Sequence, residues 1–222
     1  MSPSTSLLDE IPQTTACSSA LAVVRTALLE PILNHSLRVF FYAKWLGQKE
    51  TSEWVTDEKL PALFIACVFH DLGTSDQYNG SQRFEVEGAD AAKAHAISHG
   101  ITAEEAHNIW VAIAIHSSPG IAERIDPLSR LVRFAVKSDF SRDYASNLGL
   151  LECVNSVEEQ LPRLAVEKVL ADAVVNQAAK LPVRVDSMTW PSTEKHPSSS
   201  WPGILLRAHI ENPGYEGVNP AF

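Results

Sequence analysis

Residues 60–73, LPALFIACVFHDLG, run almost without a polar group until His70 and Asp71 stand side by side at their end. The run is about half of the ~20 apolar residues that a membrane span needs. Acidic Asp57 and Glu58 precede it and Gly73 follows it, so it reads as a buried helix with a glycine in the C-terminal position. Burying an imidazole and a carboxylate without partners is costly. The doublet therefore either faces a cation or closes the helix as its polar end.

Working outward from this run, helical spacing dominates from about residue 20 to residue 180. Residues 20–30 carry Leu21, Val24 and Leu28 on one stripe. Pro31 suits the first turn of a second helix that closes at Gly47. The segment 74–85 is rich in turn formers and reads as a loop, and residues 86–100 resume a helix that stops at Gly100. Thr102 and Glu105 form a capping box that opens 103–116, and SSPG at 117–120 breaks that helix. Asp126 and Pro127 start the helix 127–140 as N-cap and first-turn proline. A last long helix is expected over Ser156 to Lys180, bent or offset at Pro162.

No strand-like alternation and no internal repeat appears. The expected architecture is all-α: an N-terminal segment 1–19, one helical domain 20–181, and an extended C-terminal arm 182–222. That arm holds at most one helical turn at Ile204 to His209 and packs back through Trp190 and Trp201. Its role is open between covering a pocket, mediating a homo-oligomer and simply packing.

The chain has 222 residues, 45% of them apolar and 20% charged, which suits one well-packed domain. A net charge of −9 argues against a broad nucleic-acid footprint, which shows as a basic patch or stripe. It leaves room for a small anionic substrate. Cys17, Cys67 and Cys153 are too scattered for a disulfide framework or a CxxC site, and Cys67 reads as a small core residue. Reduced thiols, no basic-then-apolar leader and no membrane-length run together suggest a cytoplasmic protein.

A histidine–aspartate doublet by itself is close to chance, with about 0.4 expected in a chain of this composition. Context raises its value. His35 lies within one apolar helix, His70 and Asp71 end the next, and Asp139 closes a later one. A single divalent cation answers all four groups together, and imidazole with carboxylate suits Zn²⁺ first, with Fe²⁺ or Mn²⁺ as alternatives.

The order His35 … His70-Asp71 … Asp139 resembles the HD-domain metal-dependent hydrolase superfamily over roughly residues 20–150. The flanking segments NHSLRVFFYAKWLG, FHDLGTSDQY, RFEVEGADAAKAH and WVAIAIHSSPGI look like its cyanamide hydratase branch. The resemblance implies that His35, His70, Asp71 and Asp139 hold one metal ion beside a small-molecule site. Asp143, one turn beyond Asp139, lies in a more polar context. His116 ends an apolar helix as His70 does and is a candidate for substrate binding or proton transfer. Thr74, Phe84 and Glu85 resemble the rim of the family's pocket; Arg83 faces either an anion or solvent. His95 and His99 share a helix face, with His95 expected to point into the site.

Three readings of function follow. The first is metal-assisted hydration of a nitrile such as cyanamide to urea, because a bound Zn²⁺ lowers the pKa of water from 15.7 toward about 7. Asp71 then accepts the water's proton and His116 protonates the nitrogen. The second is a phosphohydrolase acting on a nucleotide or another small phosphate ester. That enzyme needs cations round its pocket, whereas Arg38, Lys44, Arg133 and Lys137 are expected on solvated helix faces. The third is an HD scaffold that binds a ligand without turnover.

Overall fold

The computed structural model describes residues 6–180, 198 and 200–222, all of whose regular structure is helical. The helices are α1 Thr15–Ala27, α2 Glu30–Lys49, α3 Leu60–Phe69, α4 Phe84–Ser98, α5 Ala103–Ala114, a short α6 Ala122–Ile125, α7 Pro127–Phe140, α8 Arg142–Asn147, α9 Leu151–Gln160, α10 Val166–Lys180 and α11 Trp201–Glu211. Among the described residues, no helix is long and apolar enough to cross a membrane.

The opening stretch sets the architecture. Every residue of α3 from Ala62 to Phe69 is buried, and a helix apolar all round must be wrapped on every side. α1, α2, α4 and α5 do this, and α2 in turn packs on α7, α9 and α10. Several starts follow the chemistry of their caps. Thr14, Thr102 and Asp126 each accept a backbone N–H with the side chain, and Pro31 and Pro127 occupy the first turns of α2 and α7.

Three expectations change. α1 begins at Thr15, ahead of the boundary at residue 20, and α2 runs through Gly47 to Lys49. The single long helix Ser156–Lys180 is instead two, separated at Leu161–Ala165, where Leu164 and Ala165 have positive φ. Pro162 has no N–H to continue the ladder. The freed carbonyls of Leu161 and Pro162 are used elsewhere: both accept from Arg38 Nη1, at 3.1 and 3.2 Å. The C-terminal segment is helical over Trp201–Glu211 rather than extended with one turn, with Ser200 capping Gly203 N–H. α11 packs on α10 and buries Leu205. Trp190 lies outside the described residues.

Two glycines differ in purpose. Gly100 follows α4 at φ +80, the left-handed position that favours glycine. Gly73 has no such φ; a Cβ there would lie 2.0 Å from the Phe84 carbonyl oxygen. It lets the turn after the His70–Asp71 doublet touch the start of α4.

Gly73→Ala is therefore expected to lower stability by about 1–3 kcal/mol, the range for overpacking against atoms that cannot yield, and to lower divalent-metal content as well. Gly100→Ala should cost stability and leave metal content unchanged. Urea unfolding and elemental analysis of the two variants check this contrast.

Candidate metal centre and its cavity

α2 and the end of α3 bring three donors to one point. His35 Nε2 lies 3.1 Å from His70 Nε2 and 3.5 Å from Asp71 Oδ2, which is 3.1 Å from His70 Nε2. All three groups are buried, and their ligand atoms lie within 4.8 Å of one another. The opposite ring nitrogens fix the tautomers. His70 Nδ1 donates to the Cys67 carbonyl at 2.6 Å, and His35 Nδ1 donates to Asp139 at 2.7 Å. Both Nε2 atoms are then left with lone pairs aimed at the carboxylate.

Such a point demands a positive charge. Burial alone raises the Asp71 carboxyl, but His70, His35 and His116 outweigh it and hold Asp71 below the usual carboxylate range. Burial lowers His70, and Asp71 beside it more than reverses that, while burial wins at His35. One proton can bridge only two of these atoms. A divalent cation takes all three, and two imidazoles with a carboxylate suit Zn²⁺, Fe²⁺ or Mn²⁺. Asp71 Oδ2 has no hydrogen-bond donor, as a carboxylate oxygen reserved for an ion should not.

Asp139 stands elsewhere than expected. The motif places it in the ligand set; in the structure it lies outside the His35–His70–Asp71 cluster and both of its oxygens accept hydrogen bonds. Arg38 Nε and Nη2 donate to Oδ1 and Oδ2 at 2.7 Å each, and His35 Nδ1 donates to Oδ2 at 2.7 Å. It sits behind His35 as the carboxylate that orients the ring. The cause is Arg38, which is 0% exposed rather than on a solvated face. It lies one turn from His35 on α2, so the two share a face, and four of its five N–H groups are used by Asp139, Leu161 and Pro162. Burial would raise the Asp139 carboxyl, but hydrogen bonds from Arg38 and His35 hold it well below the carboxylate range.

His116 comes to the open side of the centre. Its ring centroid lies 4.9 Å from that of His70, and Nε2 lies 3.7 Å from Asp71 Oδ1. Nδ1 donates to the Ile113 carbonyl at 2.7 Å, leaving Nε2 as an acceptor. Burial, reinforced by His70, pushes this imidazole down to about 4, so it is neutral at pH 7.

The remaining expected residues hold this arrangement or stand apart from it. Thr74 Oγ1 donates to the Asp71 carbonyl at 2.7 Å, tightening the turn. Phe84 is buried against the His116 ring, with centroids 5.7 Å apart. Glu85 is buried and accepts from Ser117 Oγ at 2.5 Å and Arg83 Nη2 at 2.7 Å. His95 does not point into the site: its Nε2 bonds the Ala16 carbonyl at 2.9 Å and its ring stacks on His99 at 4.2 Å. It helps fasten α1 to α4.

Asp71 and His116 open on a cavity of about 680 Å³. Its walls include Phe140, Leu170, Trp201 and Phe222, with Arg83, Arg133 and Lys137 at polar positions. Arg133 and Lys137 were expected on a solvated face; they lie on the side of α7 that borders the cavity. Ser117, Phe140 and Phe222 were not foreseen as lining residues. For Phe140 a signal existed, since it adjoins Asp139 in the sequence.

His70→Ala should take bound metal from about one ion per chain to near zero, read by elemental analysis. Arg38→Ala leaves the buried Asp139 charge without its main partner and should cost about 3–5 kcal/mol in urea unfolding.

Comparison with known proteins agrees with this geometry. The chain matches the HD domain family over residues 32–141, the span that carries His35, His70, Asp71, His116 and Asp139. It is also 26% identical over 160 residues to two cyanamide hydratases of Saccharomyces cerevisiae (strain ATCC 204508 / S288c), DDI2 and DDI3. Each similarity covers 70% of this chain and 69% of the yeast protein. With an all-helical frame, a buried His–His–Asp centre and these two matches, the chain carries an HD domain over residues 32–141 and is distantly similar to the yeast cyanamide hydratases.

Proposed function

We propose that this protein is a divalent-metal hydro-lyase that adds water across a nitrile, with cyanamide, giving urea, as the reference reaction. The observation that carries the reading is the pairing of Asp71 and His116 at the inner end of the cavity, next to the His35–His70 donors. When bound, the ion supplies Lewis-acid activation of water and a positive charge near the developing anion. His35, His70 and Asp71 would hold it.

Positioning of the water falls to Asp71, which the sequence suggests as the proton acceptor, and proton transfer falls to His116. Asp71 Oδ1, turned toward His116, orients the attacking water. The Nε2 lone pair of His116 receives the water's proton and passes it to the nitrile nitrogen as the new C–O bond forms. A neutral imidazole is the right form for the first half of that transfer, and its burial keeps it so. Water adds as a whole: its oxygen goes to carbon and both hydrogens end on nitrogen.

The second reading, a phosphohydrolase, draws on the cations of the same cavity. Two of them are already committed: Arg83 pairs with Glu85, and Arg133 pairs with Glu123. Lys137 alone has no carboxylate partner among the described residues, and its ammonium lies 4.0 Å over the Tyr144 ring. One uncommitted cation is a weak seat for a phosphate dianion, so hydration is preferred.

Metal-loaded protein is expected to convert cyanamide to urea mole for mole. His116→Gln should lower kcat by about 10²–10⁴-fold, the usual worth of a positioned acid–base group, while retaining bound metal. Phosphate release from a nucleotide panel without urea formation reverses the assignment.

A further inference from the structure

Seven aromatic rings form a closed circuit of contacts, and four of them, His116, Phe140, Trp201 and Phe222, line the cavity. On the metal side, His35, His70 and His116 follow one another at centroid distances of 5.0 and 4.9 Å. From His116 the circuit passes to Phe84 at 5.7 Å and from Phe84 to Trp201 at 6.2 Å. Trp201 meets Phe222 at 6.1 Å, Phe222 meets Phe140 at 6.1 Å, and Phe140 returns to His35 at 4.9 Å. Every step lies within the range at which aromatic rings attract one another. The planes turn between steps, 89° at Trp201–Phe222 and 45° at Phe222–Phe140.

This collar is built in advance. Trp201 opens α11, whose first turn is capped by Ser200 and whose Leu205 is buried. Asn219 Nδ2 donates to the Leu205 carbonyl at 3.2 Å, tying down the segment that carries Phe222. The cavity is half open, and its volume of about 680 Å³ lies in the range of pockets for drug-sized ligands. Cyanamide has only three heavy atoms, on the order of 100 Å³ if each takes the share of a water molecule. Most of the cavity is left for something else, and its walls are mostly apolar, with Arg83, Arg133 and Lys137 among them.

We propose that the collar selects the substrate, and that the preferred substrate is an organic nitrile whose body is an aromatic ring. The nitrile group reaches Asp71 and His116, and the ring lies between Phe140, Trp201 and Phe222. Hydration then gives the aromatic amide: the oxygen of water bonds to the nitrile carbon, both hydrogens go to nitrogen, and no oxidant or further reactant is needed. This inference rests on the hydration reading, and its test separates the two.

The probe is 4-fluorobenzonitrile, followed by fluorine NMR in the presence of the metal-loaded full chain, together with kcat/KM for benzonitrile and cyanamide. Saturable binding to the unaltered protein is expected, weakened at least tenfold by Phe222→Ala and recovered in Phe222→Tyr. The ratio of kcat/KM for benzonitrile to that for cyanamide should fall at least tenfold in Phe222→Ala and in Trp201→Ala. Phe222 is 52% exposed, so its truncation leaves the core intact even if Trp201→Ala loosens α11. Cyanamide turnover without saturable binding of the ring overturns the collar proposal alone, as does equal binding by Phe222→Ala. Collar-dependent binding with neither nitrile hydrated overturns the hydration reading and upholds the collar as a selector of aromatic ligands.

Discussion

Two imidazole lone pairs and a carboxylate oxygen lie within 3.1 to 3.5 Å of one another at a buried point beside the cavity. Left to themselves these atoms repel, and the low polarity around them makes the repulsion strong. A cation turns the same distances into attraction. The structure repeatedly spends packing precision on keeping the three atoms together. His70 is tied to its own helix through Cys67, Asp71 to its turn through Thr74, and His35 to Asp139.

The Asp139–Arg38 pair shows how far that support extends. A buried ion pair adds little stability by itself, because desolvation offsets most of the attraction, but losing one member is severe. Here the pair has a second use, since the carboxylate also fixes which nitrogen of His35 carries the proton. Arg38 reaches on to the carbonyls of Leu161 and Pro162. The break between α9 and α10 is thereby part of the same network as the metal centre. Arg163 joins it from the other side, donating to the Asp139 carbonyl at 2.6 Å.

Much of this was legible in the residues. The order of His35, His70, Asp71 and Asp139 on successive apolar helices locates the centre, because polar groups on buried faces require partners. The parallel between His70 and His116, each ending an apolar helix, places His116 at the site for the same reason. Periodicity was less informative about side-chain reach. Arg38 and Arg133 carry charges on amphipathic helices, and a one-dimensional reading sends such residues to solvent; only the packing of α2 against α7 reveals the carboxylate waiting for Arg38 and the cavity beside Arg133. His95 illustrates the converse error. Its helix face is right, but the facing partner is the α1 carbonyl of Ala16. The collar's Trp201 and Phe222 come from a segment far along the chain, which no local pattern connects to α3.

Shape and chemistry meet at Asp71, the residue that both belongs to the donor cluster and lines the cavity. The account stands or falls on an ion at that point. Anomalous diffraction from metal-loaded crystals at the metal's absorption edge locates it directly. The account predicts a single peak about 2.0–2.2 Å from His35 Nε2, His70 Nε2 and an oxygen of Asp71. A peak at any other set of side chains, or none in protein shown to contain the metal in solution, contradicts it.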